Sequence, residues 1–359
     1  MLSKGDDFPI HQTPEPIAYA ADRNFYDRYF FNGYSADGAL FFAAALGVYP
    51  QLDVMDAAFC VSVGSKQHNV RASRRLHGER MNLRVGPIEI AVMEPMQRLA
   101  VRVDDNGSGV SATLVFAARH APIEEPRFTR RNGARLFMDY TRLTQNGAWG
   151  GTITVGGDTH RIDAYGTRDR SWGIRPVGAP DAQPPPGGAL SQFFWLWAPF
   201  NFDDRAAFFH TNDDSDGRAW NRRAVIDRLA ASLTEYERPE AKLAYAPGTR
   251  RIASAEIAFA PETILSIKPT GAHFYMHGLG YMHPTWGHGR DHGELDVAHD
   301  IIDLTSIDDN VPGNLHIQAL AYATLRDGGY TYEGQGVLEQ LLVGPHAPSG
   351  FKSLLDPAP

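Results

Sequence analysis

Hydrophobic positions along the chain fall into short runs that either alternate with polar residues or are rich in β-branched ones. Ile88–Val92, Leu99–Val103, Ser111–Ala117, Leu136–Leu143, Thr152–Val155, Ala224–Leu229, Arg251–Phe259 and Leu315–Thr324 are of this kind. A period of two marks a half-buried strand, because successive side chains leave opposite faces of the backbone. Turn signals separate the runs: Asp105-Asn106-Gly107, Asn132-Gly133, Asn146-Gly147, Gly156-Gly157-Asp158, Asp216-Gly217 and Asp327-Gly328-Gly329. Such dipeptides and tripeptides supply the positive φ that tight hairpins need. Helical spacing is rare. Ala39–Leu46 fits a helical turn or a strand, and Arg222–Arg238 fits either but has strands on both sides, which favours strand. No strand-helix-strand unit and no glycine-rich phosphate loop is present, which disfavours a dinucleotide-binding or P-loop enzyme. The pattern predicts an all-β, mainly antiparallel protein of barrels or sandwiches.

Gly178–Gly188 is too rich in proline for a strand and reads as a stiff connecting loop. It divides the 359 residues into two domain-sized parts, 1–177 and 189–359. Composition then narrows the function. The net charge of −8 argues against a nucleic-acid surface, which needs clustered cations. One cysteine, Cys60, cannot form an internal disulfide, and its apolar neighbours Phe59 and Val61 suggest a buried, inert thiol. The first residues carry two acids and no apolar run, and no stretch has the length of a membrane span. The expectation is therefore a cytoplasmic protein with no membrane span.

Three segments carry candidate chemistry. In Tyr165–Pro176, a strand would put Tyr165, Thr167, Asp169 and Ser171 on one face and Arg168, Arg170 and Trp172 on the other. Asp169 could be an acid in a cavity, or one half of a structural ion pair with an arginine stacked on Trp172. In Gln192–Phe200 one face holds Phe193, Trp195 and Trp197, and the other Phe194, Leu196 and Phe200. This is a core strand with one face able to line an apolar pocket. Six of the 14 histidines fall in Ala272–Asp300: His273, His277, His283, His288, His292 and His299. Glycines and Pro284 make a helix there improbable, no His-Glu-x-x-His motif occurs, and a polar, glycine-rich loop results. Metal ligands, active-site imidazoles and solvated loop histidines all remain open readings. Asn212–Gly217 resembles the start of a calcium loop, but its twelfth position is Arg223, so a hairpin turn is expected.

Arg168-Asp169-Arg170-Ser171-Trp172-Gly173, the aromatic run Phe194–Trp197, the His283–Gly289 segment and Ala45–Pro50 together resemble the AttH/CrtC-like proteins. That family includes carotenoid 1,2-hydratase (hydroxyneurosporene synthase) and is related to tocopherol cyclase and fungal decalin-forming cyclases. The resemblance is to its uncharacterised branch. It implies two lipocalin-like β-barrels and a hydrophobic, often isoprenoid, ligand. It also implies an acid that protonates an alkene while aromatic faces shelter the cation, for which Asp169 and Trp172 are the nearest equivalents.

The expectation is a cofactor-independent lyase or cyclase (hydratase, dehydratase or isomerase type) on a terpenoid or polyprenyl substrate. Asp169, His283 and His288 are the candidate catalytic groups, and Tyr165, Arg168, Arg170, Trp172, Trp195, Trp197 and Trp286 the candidate substrate-binding ones. Asp169, Trp172, Trp195 or Trp197, and His283 or His288 are expected to share one pocket at the junction of the two halves. A non-catalytic carrier of hydrophobic small molecules is the alternative, and a metal enzyme built on the His283–His299 loop a second one.

Overall fold

The structure is a computed structural model, and it describes residues 2, 4–11, 22–132, 135–180, 191–229 and 231–359. The predicted loop Gly178–Gly188 and Gly133 lie largely or wholly outside the described residues.

The strands in chain order are β1 (Phe25–Tyr34), β2 (Leu40–Tyr49), β3 (Val54–Val63), β4 (Lys66–Arg75), β5 (Arg84–Val85) and β6 (Ile88–Glu94). Then come β7 (Arg98–Val103), β8 (Val110–Ala118), β9 (Ile123–Glu124), β10 (Phe128–Asn132), β11 (Arg135–Val155) and β12 (Asp158–Ile174). The next are β13 (Phe193–Phe202), β14 (Ala206–Asp213), β15 (Ala219–Arg228), β16 (Ser232–Tyr236) and β17 (Glu240–Tyr245). The last are β18 (Ile252–Ala260), β19 (Thr263–Tyr275), β20 (Leu295–Asp303), β21 (Ile317–Asp327) and β22 (Tyr330–Val343). Among the described residues the only helices are short 3₁₀ turns, and none is long and apolar enough to cross a membrane. The all-β reading holds: two antiparallel, curled sheets form two lipocalin-like barrels.

One sheet runs β20-β4-β3-β2-β1-β12-β11-β8-β7-β6-β5, with β9 and β10 also on β11; the other runs β16-β15-β14-β13-β22-β21-β19-β18-β17. The chain divides into a first unit, Met1–Gly188 with His277–Leu304, and a second, Ala189–Met276 with Thr305–Pro359. The linear division at 178–188 therefore needs one amendment. His277–Leu304 belongs to the first unit, because β20 pairs antiparallel along β4 from Leu295↔Arg74 to Asp303↔Lys66.

Each barrel has a packed interior. In the first, Phe31, Phe42, Phe59, Leu99, Leu114, Phe116, Trp149 and Ile153 form the centre of the core. In the second, Phe194, Leu196, Phe200, Phe209, Ile226, Ile257, Leu265 and Leu338 do so. The predicted Asn146-Gly147 turn is instead the middle of the 21-residue strand β11. Gly147 pairs with Gly166, which pairs with Gly33, so three glycines cross β11, β12 and β1 in a row. The row makes space for aromatic rings. A Cβ on Gly147 would lie 2.2 Å from the Phe116 ring, and one on Gly166 2.5 Å from Trp149 Nε1. Trp149 Nε1 donates to Asn32 O at 2.8 Å, which satisfies its one polar atom in the core. Asn212–Gly217 is the expected hairpin: Gly217 N donates to Asp214 O between β14 and β15.

The end of the first barrel next to β12 is filled by the amino-terminal segment. Arg168, Arg170 and Trp172 share the face of Tyr29 and Phe31, as the register Tyr29↔Arg170 and Phe31↔Arg168 requires. Arg168 Nη1 pairs with Asp7 Oδ1 at 2.5 Å and Arg170 Nη2 with Asp27 Oδ1 at 2.6 Å, all fully buried. His11 stacks on Trp172 with centroids 3.8 Å apart, and its two ring nitrogens meet Asp6 at 2.6 Å and Asp27 at 3.1 Å. A carboxyl group at each nitrogen favours the doubly protonated ring. Burial alone would lower the His11 pKa, but Asp27 and Asp6 outweigh it and hold it above the usual histidine value.

Candidate functional site

On the first unit, the sheet face turned away from the barrel interior carries a band of small and polar residues. The register Ser171↔Arg28↔Gly47↔Asp56↔Ser73 crosses β12, β1, β2, β3 and β4, with Ala45, Ala58 and Arg71 in the neighbouring row. The histidine-rich segment of the same unit lies over this floor and is tied to it at three points. Arg71 Nε donates to Gly278 O at 2.8 Å, Ser73 Oγ to Arg290 O at 3.1 Å, and Gly289 N to Asp56 Oδ2 at 2.7 Å. Arg71 is itself held by Asp300 of β20 at 3.0 Å. Between strap and floor runs a crevice lined by Arg28, Asp56, Ala58, Arg71, Leu279, Trp286, Arg290 and His292, with room at its floor for about one water molecule.

The electrostatics of the crevice are unusual. Burial pushes the Asp56 carboxyl above the ordinary aspartate value, against the field of Arg28 and the hydrogen bonds from Gly289 N–H and Tyr49 O–H (3.2 Å). Tyr49 folds back over Gly47, where a Cβ would lie 2.3 Å from the Tyr49 hydroxyl; only glycine leaves that hydroxyl its place on Asp56. Arg28 is 2% exposed, and its Nε and Nη1 have no hydrogen-bond partner. The Tyr281 ring lies 5.2 Å from its guanidinium carbon. Arg175 lies 4.2 Å over the Tyr26 ring and donates to His288 Nδ1 at 3.2 Å. Tyr26 itself is pushed up to about 12 by burial. Arg28, Arg71 and Arg175 thus share this face with several phenols and the carboxyls of Asp56 and Asp169.

The structure brings some predicted residues together here and separates others. His288 accepts from Arg175 at Nδ1 and uses Nε2–H on Leu279 O at 3.1 Å, so it is the neutral tautomer and orients Arg175. His283 Nδ1 accepts from Trp286 N at 2.9 Å; burial, then Arg71 and His277, bring its pKa down to about 4. A ring held neutral in this way is a poor source of protons at neutral pH. Trp286 lines the crevice and stacks on His292 at 3.8 Å. Asp169 is half-buried on the same face, opposite Phe30, and its charge acts on Arg142 and Tyr26. Tyr165 carries the Arg119 guanidinium 4.6 Å over its ring.

Arg168, Arg170 and Trp172 face the barrel interior and bind the amino-terminal segment. Alternation along β12 puts them on the side opposite Asp169, so they cannot share a pocket with it. Trp195 and Trp197 belong to the second unit. Trp195 Nε1 donates to the buried Glu339 at 3.1 Å, and Trp197 sits edge-on to Phe208. The second unit also has an open groove of about 530 Å³ along Lys242, Ser254, Glu256, Ser266, Lys268 and Tyr322, but no buried acid lines it. Among the described residues no group of three or more His, Cys, Asp or Glu side chains comes together as a metal site would.

Sequence reasoning missed Arg28, Asp56, Arg175 and Tyr281. A signal existed: Asp27-Arg28 is a charge pair inside a ten-residue strand that is buried throughout, and Asp56 is the one acid of the apolar strand β3. A charge retained in such a run has a partner or a task.

Residues 2–352 match the model of a family of unknown function, DUF8625. The chain belongs to that family. No curated protein matches the sequence. Among solved structures, an AttH-type protein of Nitrosomonas europaea superposes with a TM-score of 0.53 at 12% identity, over 89% of this chain and 93% of that one. Kievitone hydratase of Nectria haematococca follows at 0.47 and 10%, covering 88% and 89%. CghA with Sch210972 superposes at 0.49 and 9%, covering 94% and 97%. The first of these likenesses shows the fold: DUF8625 here adopts the AttH-like double lipocalin-type architecture.

Proposed function

We propose that this chain is a cofactor-independent lyase or cyclase of the hydratase, dehydratase or isomerase kind, acting on an alkene of a hydrophobic, terpenoid or polyprenyl substrate. One observation supports the reading above others: the crevice under Trp286 holds a carboxyl, Asp56, that burial keeps more protonated than an ordinary aspartate. In the proposed step the Asp56 O–H proton passes to one alkene carbon, the π pair forms the new C–H bond, and the other carbon becomes a cation. The cation is closed by water, which then loses a proton, or by a second double bond, with a proton returning to the Asp56 carboxylate. Trp286 and Tyr281 offer π faces to the cation. Asp56 takes the role for which the sequence suggested Asp169. The latter stays in the proposal as a neighbouring charge on the same face, with Arg175 and His288 as positioning residues.

The test is turnover of a panel of terpenoid and polyprenyl alkenes in D₂O, read by mass spectrometry for deuterium uptake, added water or cyclised product. Wild type should label at least one substrate, and Asp56→Asn should lower the rate by about 10²-fold or more, the scale of a lost general acid. Labelling that survives in Asp56→Asn and disappears in Asp169→Asn returns the role to Asp169. Tight binding with no labelling across the panel makes the chain a carrier.

A further inference from the structure

The crevice contains one group that acid catalysis leaves unused. Arg28 is 2% exposed, lines a space of about one water, and has neither an ion pair nor a hydrogen bond at Nε and Nη1. A buried guanidinium whose donors are unmet is unfavourable relative to one paired with an oxyanion, so its retention calls for a partner. The neighbours do not provide one. Asp56 directs its two oxygens to Gly289 N and Tyr49 O–H, Asp300 is engaged by Arg71, and Tyr281 presents a ring face. Arg290 lines the same crevice and adds a further positive charge. A buried guanidinium with unmet N–H donors matches an oxyanion, and the free space fits one oxygen of it.

We propose that Arg28 is an oxyanion-recognition residue, and that the ligand of this face is an apolar molecule bearing a carboxylate or enolate whose oxyanion docks on the Arg28 guanidinium. This rests on the reading of the face as a site for a hydrophobic ligand and adds the polar group that ligand must carry. The chemistry of the proposed reaction calls for the same thing. A carbocation formed beside an unpaired guanidinium is opposed by its charge, and a substrate oxyanion cancels that charge at the moment of binding.

Two dyes of nearly the same aromatic body separate the two ideas. 1-Anilinonaphthalene-8-sulfonate carries an anion; N-phenyl-1-naphthylamine does not. Titrated by fluorescence into the full chain, the anionic dye should bind about tenfold or more tightly than the neutral one. Arg28→Met should bring that ratio to about one while leaving the neutral dye's Kd within about twofold. Arg28→Lys, which keeps the charge but not the planar set of N–H donors, should fall between and serves as the variant if Arg28→Met does not fold. Decanoate should displace the anionic dye at about one tenth the concentration of decanol. A ratio unchanged by either variant, or a wild-type ratio near one, overturns the oxyanion proposal and leaves the hydrophobic site standing. Failure of both dyes to bind wild type overturns the hydrophobic site itself.

Discussion

The ion pair between Asp7 and Arg168 is the most consequential test of how the first barrel is closed. Both side chains are fully buried and 2.5 Å apart, and Arg168 also donates to Gln145 Oε1 at 2.7 Å. Asp7 receives the Met96 amide as well, and its own carbonyl receives the Tyr29 hydroxyl. Arg168→Met leaves a carboxylate in the interior with one N–H for company. Breaking a buried pair from one side costs about 3–5 kcal/mol. For a cooperative unit of this size each kcal/mol moves Tm by about 2–4 °C, so the single variant should melt roughly 6–20 °C below wild type. Asp7→Asn should cost less, since it strands a guanidinium that keeps Gln145. The double variant Asp7→Asn/Arg168→Met contains no stranded charge and should be less destabilised than the sum of the singles by at least about 1 kcal/mol. Differential scanning calorimetry of the full chain gives the melting points, and limited proteolysis shows whether residues 4–11 have been released. Single variants that melt within about 2 °C of wild type with the segment still protected would refute the reasoning, as would strict additivity.

Other expectations follow from the same arrangement. His11 has a folded pKa above its unfolded value, so its contribution is complete below about pH 6.5 and is lost as pH rises through the folded value, at about 1.4 kcal/mol per pH unit of elevation. Thermal stability of wild type should therefore decline on the alkaline side more steeply than that of His11→Gln; parallel profiles would contradict it. In the second unit burial pushes the Glu339 carboxyl up, but His316 (2.7 Å), Gln318 (2.7 Å) and Trp195 hold it below the ordinary value. Its stabilisation is present above about pH 4.5 and lost as pH falls, so Glu339→Gln should flatten the acid limb of the melting profile. Gly166→Ala places a Cβ 2.1 Å from the Asn32 carbonyl, a backbone atom that cannot step aside, and should cost about 1–3 kcal/mol or more by calorimetry.

Strand existence was legible because alternation survives wherever one face of a sheet is buried and the other is not. β6, β7, β8, β18 and β21 lie where the hydrophobic runs put them. Asn146-Gly147 misled because the same dipeptide serves a turn through positive φ and a strand through the absence of a Cβ; the Phe116 ring that decides between them is distant in sequence. Arg168, Arg170 and Trp172 were legible as a cluster, but their partners Asp6, Asp7 and His11 lie more than 150 residues away in the chain, so a clamp read as a substrate site. Asp56 was the opposite case, a quiet acid in an apolar strand. Its importance comes from the strap that covers it, and no local pattern reports on that.

The strap has a consequence for how the protein is made. Because β20 completes the edge at β4, and Gly278, Gly289 and Arg290 close over the floor, the first unit has all its parts only when Leu304 has emerged. The ribosome leaves the bulk of that unit at Gly188 and must then synthesise much of the second before returning the missing piece, roughly 6–23 s later at about 5–20 residues per second. Through that interval β4 is an open edge, Arg71 lacks Asp300, and the Asp56 floor faces solvent. Nascent chains arrested with residue 304 still inside the ribosome, and ones arrested far enough on for it to have emerged, should therefore differ sharply in protease resistance of the amino-terminal barrel, and the order of assembly is dictated by the route of the chain, not by the order of its halves.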